Sequence, residues 1–120
     1  MRRVSLLLPL LLSGCLFSSS GETEKQTYTI RAEIIATPNE FFSAHTIFTH
    51  VHKESNLQSV WSYTYEITLE PNKSSIVGFR ASWRLSNSNT RRLEGKLYIN
   101  GILKDADTGS NSIECRYSIP

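Results

Sequence analysis

From Thr27 onward, apolar and polar side chains alternate along the chain. Tyr28, Ile30, Ala32, Ile34 and Ala36 are separated by Thr29, Arg31 and Glu33. Trp61, Tyr63, Tyr65, Ile67 and Leu69 alternate with Ser62, Thr64, Glu66, Thr68 and Glu70. Phe79, Ala81, Trp83 and Leu85 alternate with Arg80, Ser82 and Arg84. Successive strand side chains point to opposite faces, so a period of two predicts strands with one buried and one wet face. Antiparallel sheets carry that pattern. Shorter strands are expected over Ala44–His52, Leu93–Ile99, Ile102–Asp105 and Ser112–Ile119. Turn chemistry separates them at Pro38-Asn39, Ser55-Asn56, Pro71-Asn72, Asn87-Ser88-Asn89, Asn100-Gly101 and Thr108-Gly109-Ser110. Asn100-Gly101 is the sharpest signal, because a type I′ hairpin needs positive φ twice. Pro38–Ala44 is the one place where a short helical turn is expected. About seven strands predict an all-β, antiparallel, immunoglobulin-like sandwich. The expected core is Tyr28, Ile30, Ile34, Trp61, Tyr63, Ile67, Leu69, Phe79, Trp83, Leu85, Leu97, Ile99, Cys115 and Tyr117.

The alternation does not reach the first 25 residues, which have a different logic. Arg2 and Arg3 precede a leucine-rich run from Val4 to Leu12. That run is far short of the ~20 residues that span a bilayer, and it matches a signal-peptide h-region. It ends in Leu12-Ser13-Gly14-Cys15, which resembles a bacterial lipobox. The resemblance implies diacylglycerol on the Cys15 thiol and cleavage before it, with small residues admitting the backbone to the peptidase. Residues 1–14 are then a lipoprotein signal peptide, and 15–25 a lipidated cysteine with a Ser/Gly/charge-rich tether. Residues 26–120 form the sandwich domain. Several acyl chains on one cysteine exceed the threshold for stable anchoring. The expected location is the bacterial envelope outside the cytoplasm. Leu16 in place of aspartate favours the outer membrane in a Gram-negative host.

Charge then changes meaning. The 120 residues carry 13 Lys+Arg against 11 Asp+Glu, a formal +2. Removing Arg2 and Arg3 with the signal leaves 11 basic against 11 acidic residues. A balanced domain gives no footprint for nucleic acid. Two cysteines cannot build a disulfide scaffold, and with Cys15 lipidated, Cys115 stands alone. Cys115 shares a face with Ile113, Tyr117 and Ile119, so it reads as a small core residue.

Candidate chemistry is sparse. His50 and His52 share a strand face and offer two imidazoles to a metal, with Glu54 just beyond and His45 on the opposite parity. A zinc site would need a further ligand. Asp105-Ala106-Asp107-Thr108-Gly109 imitates the start of a calcium loop, but lacks its third acidic position and its closing glutamate. Turn chemistry accounts for it instead. Arg80 and Arg84 on a wet face, with Glu66 expected on a neighbouring strand, make a candidate binding surface. No phosphate loop, nucleophile elbow or zincin helix occurs, so no enzyme and no cofactor are expected.

Tyr28-Thr29-Ile30, Trp61-Ser62-Tyr63 and Leu97-Tyr98-Ile99-Asn100-Gly101 resemble the small immunoglobulin-like envelope lipoproteins that are similar to the mycobacterial MmpS proteins. The likeness spans most of residues 26–120 and departs at the histidine-bearing segment and at the lipobox, where those proteins have a transmembrane helix. It implies an accessory role beside another envelope protein and assigns no functional residue. The expectation is a lipid-anchored, non-catalytic module that binds an envelope component. A metal-binding lipoprotein using His50 and His52 is the alternative.

Overall fold

The computed structural model describes residues 24–85 and 90–120. Cys15, the signal segment, most of the tether and the Asn87-Ser88-Asn89 turn signal lie outside the described residues. Eight strands run in order: β1 Gln26–Thr37, β2 Phe42–Phe48, β3 Lys53–Leu57, β4 Val60–Leu69, β5 Ser75–Trp83, β6 Arg92–Ile99, β7 Ile102–Gly109 and β8 Ser112–Ile119. They form two four-stranded antiparallel sheets, ordered β4-β1-β6-β7 and β3-β2-β5-β8. The architecture is a sandwich, with its own strand order.

Two of the long alternating segments, β1 and β4, are strands within a residue of expectation, because burial of one face sets their register, whereas the segment expected over Phe79–Leu85 starts four residues earlier, at Ser75, and ends at Trp83. Differences fall where turn geometry overrides the period. The expected Ala44–His52 strand is broken after Phe48, whose φ is +72°. Thr49 fixes the chain there, its Oγ1 donating to the Ile76 carbonyl at 2.9 Å and pairing with the Ser75 hydroxyl. A separate strand, β3, then forms across the expected Ser55-Asn56 turn; Asn56 has φ +58° but stays in the strand. No helical turn forms over Pro38–Ala44: Thr37-Pro38 is cis and β2 starts at Phe42. β7 extends past Asp105 to Gly109, so the supposed turn residues Asp105 to Gly109 are in a strand. Asn100 and Gly101 both have positive φ (+52° and +82°), as the hairpin requires.

The sheets close over Ile30, Ile34, Phe42, Trp61, Val77, Phe79, Trp83, Leu93, Leu97, Ile113 and Cys115. Tyr28, Tyr63, Leu69 and Tyr117 pack at the margin of this core. Leu85 is 72% exposed, against expectation, because β5 ends at Trp83 and the parity rule ends with it. Gly95 permits a close approach of the layers: a Cβ there would lie 2.6 Å from Ile113 Cδ1.

Antiparallel register gives the sandwich two poles. β1, β5 and β7 start at the pole where the tether enters, and β2, β4, β6 and β8 end there. The connections at residues 49–52, 70–74 and 100–101, and Pro120, share that pole.

Candidate functional site

The two long sides of the sandwich are built differently. On one side, sheet edges β7 and β8 meet. Asp107 Oδ2 accepts the Glu114 backbone N–H at 3.0 Å, and Asp105 Oδ2 accepts that of Arg116 at 2.8 Å. An edge strand exposes unpaired backbone donors that another chain can pair with, and these two carboxylates cover them on β8. The calcium-loop imitation is therefore an edge cap. Alternation along β7 turns both side chains toward β8.

On the other side lie edges β3 and β4, joined by Gln58-Ser59. Here the segment from His50 to Glu54 crosses the inner face of β4 and matches it at every second residue. His50 stacks on Tyr65 with ring centroids 4.4 Å apart, and His52 stacks on Tyr63 at 4.1 Å, with planes 3° apart. Glu54 Oε2 accepts both Trp61 Nε1–H and His52 Nε2, each at 2.9 Å. His50 Nε2 is hydrogen-bonded to the Tyr63 hydroxyl at 2.9 Å. Both segments have a period of two and run in opposite directions, so three polar side chains meet three aromatic ones. The crossing is pinned by buried Thr46, whose Oγ1 accepts the His52 N–H at 2.8 Å and whose own N–H donates to the His52 carbonyl. A threonine inside the core is thus satisfied.

The electrostatics of this ladder follow from its bonds. The Trp61 and His52 hydrogen bonds hold the Glu54 carboxyl below the usual carboxylate range. Burial, then the neighbouring Tyr63, pushes the Tyr65 phenol up to about 12, and its hydroxyl has no hydrogen-bond partner among the described residues. Burial is also the main cause that pushes the Cys115 thiol up to about 12, reinforced by Asp105 and Asp107, which suits a core residue rather than a nucleophile. On the outer face, burial, then Lys53 and Arg80, lowers the His45 imidazole.

The structure brings His50, His52 and Glu54 onto one face, as parity predicts. It does not converge them: the Nε2 of His50 points to Tyr63 and that of His52 to Glu54. Among the described residues, no group of three or more His, Cys, Asp or Glu is placed to hold a metal. Arg80, Arg84 and Glu66 are not brought together. Arg80 lies on the outer face of the β5 sheet, paired with Glu114 at 2.6 Å. Glu66 lies on the outer face of the other sheet, opposite Thr29. Arg84 is past the end of β5, its guanidinium 5.8 Å from the Phe41 ring centroid. Expecting one wet face for all three required β4 and β5 to share a sheet, and they do not.

Trp61 and Tyr63 appeared in sequence only as core residues, and Tyr65 only as an apolar position of the alternation. The signal for their second role was the matched period of His50-His52-Glu54 and Trp61-Tyr63-Tyr65, readable once the two segments are set antiparallel. No family model matches this chain, and no curated protein matches it.

Proposed function

We propose that the chain is a lipid-anchored, non-catalytic binding module of a bacterial cell envelope, held at the membrane through Cys15. The anchoring half rests on the sequence: Arg2-Arg3, the leucine run and Leu12-Ser13-Gly14-Cys15 precede a tether that leads into β1. The recognition half rests on one observation, the inequality of the two sides of the sandwich. β8 has its edge amides capped by Asp105 and Asp107. Among the described residues β4, ten residues long, pairs with β1 alone and is the terminal strand of its sheet. A bare edge of that length is suited to accepting a partner strand, with main-chain bonds giving affinity and Ser62, Thr64, Glu66 and Thr68 reading the partner's side chains. The partner is another envelope component. The ladder behind β4 stiffens this edge by fixing Trp61, Tyr63 and Tyr65 from inside.

Two measurements test this. Replacing Cys15 with Ala should release the protein from membranes; full retention would overturn the anchor. A photo-crosslinking residue at Thr64 should yield adducts in living cells, whereas one at Ser110 on the capped side should not. Adducts from Ser110 and none from Thr64 would overturn the edge reading.

A further inference from the structure

The outward faces of the two sheets differ in charge. On β1, β4 and β6 the outward positions carry Arg31, Arg92 and Lys96 against Glu33, Glu66 and Glu94, three of each sign. Arg31 pairs with Glu33 at 3.1 Å, Arg92 with Glu94 at 2.7 Å, and Lys96 stands opposite Glu33 on the neighbouring strand. On β2, β3, β5 and β8 the outward positions carry Lys53, Arg80, Arg116 and His45 against Glu114 alone. Glu54 does not offset them, because it turns inward to Trp61.

Register sets these side chains in line. Lys53 stands opposite His45, His45 opposite Arg80, and Arg80 opposite Glu114, one row across four strands. Directly opposite side chains start about 5 Å apart. Glu114 is shared at its end of the row, by Arg80 at 2.6 Å and Arg116 at 3.6 Å. Lys53, at the other end, has no ion pair among the described residues. His45 is therefore flanked by two cations, and like charges directly opposite one another cost stability. The lowered His45 imidazole reflects burial first and then this repulsion. Asp105 and Asp107 reach the face only at the β8 edge, where they accept the Arg116 and Glu114 amides. A fold that holds cations together against their repulsion is complementary to an anion.

The adjoining row is Ser43, Ser82 and Ser112, in register across β2, β5 and β8. A hollow of about 370 Å³ is lined by His45, Arg80, Ser82 and Ser112, with Asp107 and Glu114 on its β8 side. Each serine hydroxyl donates and accepts, so the cation row borders groups matched to the hydroxyls of a sugar. Neither row holds an exposed apolar side chain; Phe48 and Ile76 lie three and four residues along β2 and β5 from it. A lipid surface would need such side chains to bury.

We infer that this face is a binding site for an acidic saccharide: Lys53, His45 and Arg80 take its carboxylate or phosphate, and Ser43, Ser82 and Ser112 its hydroxyls. The site is separate from the β4 edge, and it does not depend on lipidation of Cys15.

Titration calorimetry of the detergent-solubilised full chain tests this. Trigalacturonate and glucose 6-phosphate carry the two oxyanions, and at least one should bind saturably, whereas maltotriose, a neutral saccharide, should not. A Lys53→Gln/Arg80→Gln variant, altered at two exposed positions, should bind about tenfold more weakly or worse. Arg92→Gln/Lys96→Gln on the balanced face should leave binding unchanged. One readout needs no variant: with the bound saccharide present, the His45 imidazole followed by NMR should titrate at higher pH, while His50 and His52 stay fixed. An anion beside His45 offsets Lys53 and Arg80, the cations that face it, with Glu114, Arg116 and Asp107 unchanged beyond them. Binding of neither probe, equal loss in the two variants, or an unmoved His45 would each overturn the site. Equally tight binding of maltotriose would remove the anion from it. Binding to phosphatidylglycerol vesicles without binding to either probe would assign the face to lipid, and both of these results also overturn the proposal.

Discussion

Asp105 and Asp107 are the residues whose removal reports most directly on how this sandwich manages its edges. In an Asp105→Ala/Asp107→Ala variant the Glu114 and Arg116 amides lose their acceptors, at 3.0 and 2.8 Å. The same carboxylates also accept their neighbours' N–H groups, Asp105 from Ala106 and Asp107 from Thr108, each at 2.9 Å. A hydrogen bond to a charged acceptor contributes about 1.5–3 kcal/mol when fully buried. Both aspartates are only partly buried, and water can replace some of each bond, so about 1 kcal/mol per residue is the appropriate figure. The pair should then cost about 2 kcal/mol, a fall of roughly 8–16 °C in Tm for a domain of this size. Amide hydrogen exchange identifies the cause. Glu114 and Arg116 should exchange faster by a factor larger than the global destabilisation explains, whereas Cys115, facing β5 by alternation, should follow global stability. Asp→Asn at both sites keeps an oxygen acceptor and should restore most of the loss. If the Glu114 and Arg116 amides keep their protection in the alanine variant, the capping account is wrong. Concentration-dependent association of the alanine variant, absent from the parent, is the expected secondary effect of an uncovered edge.

Three further predictions follow from the ladder. Tyr65→Phe removes a hydroxyl that is buried without a partner among the described residues, so it should raise Tm, by an amount corresponding to about 1 kcal/mol; a lower Tm would show that the hydroxyl is satisfied. Glu54 has a folded-state value below its ordinary 4.5, so its contribution to stability is present above that pH and is lost as pH falls through the depressed value. Denaturant titrations from pH 6 to pH 2 should show Glu54→Gln with a shallower acid loss than the parent, and identical slopes would refute the hydrogen-bond assignment. Zinc or copper titration should leave Tm unchanged, since the His50 and His52 rings point their Nε2 atoms at different partners; a saturable rise would establish a metal site that rearranges the ladder.

The strands with strong alternation were readable because each has one face that must be dry. Ile30, Ile34, Trp61, Ile67, Phe79, Leu97 and Ile99 are buried as their parity requires. What the period could not supply was the connection. The break after Phe48 depends on a left-handed residue and on Thr49 bonding across to β5, both tertiary effects. The placement of Arg80 and Glu66 on opposite outer faces depends on which strands share a sheet, and alternation is silent about that. The histidines were visible as a same-face pair, but their partners were not, because Trp61 and Tyr63 satisfy the pattern of an ordinary core. Asp105 and Asp107 looked like turn residues since acidic side chains are poor strand formers, and their use as acceptors for a neighbouring strand overrides that preference.

The position of β1 has a mechanical consequence. The strand that leads from the tether is not at an edge: it lies between β4 and β6, in register with β4 from Gln26 to Ile35 and with β6 from Ile30 to Thr37. Under the proposed anchoring through Cys15, a load applied between the anchor and a partner held on the domain would enter along the axis of β1. Both ladders then bear it in shear, many bonds at once, where a terminal strand would peel away bond by bond. A domain tethered in this way can be pulled by its partner without its first strand being the part that yields.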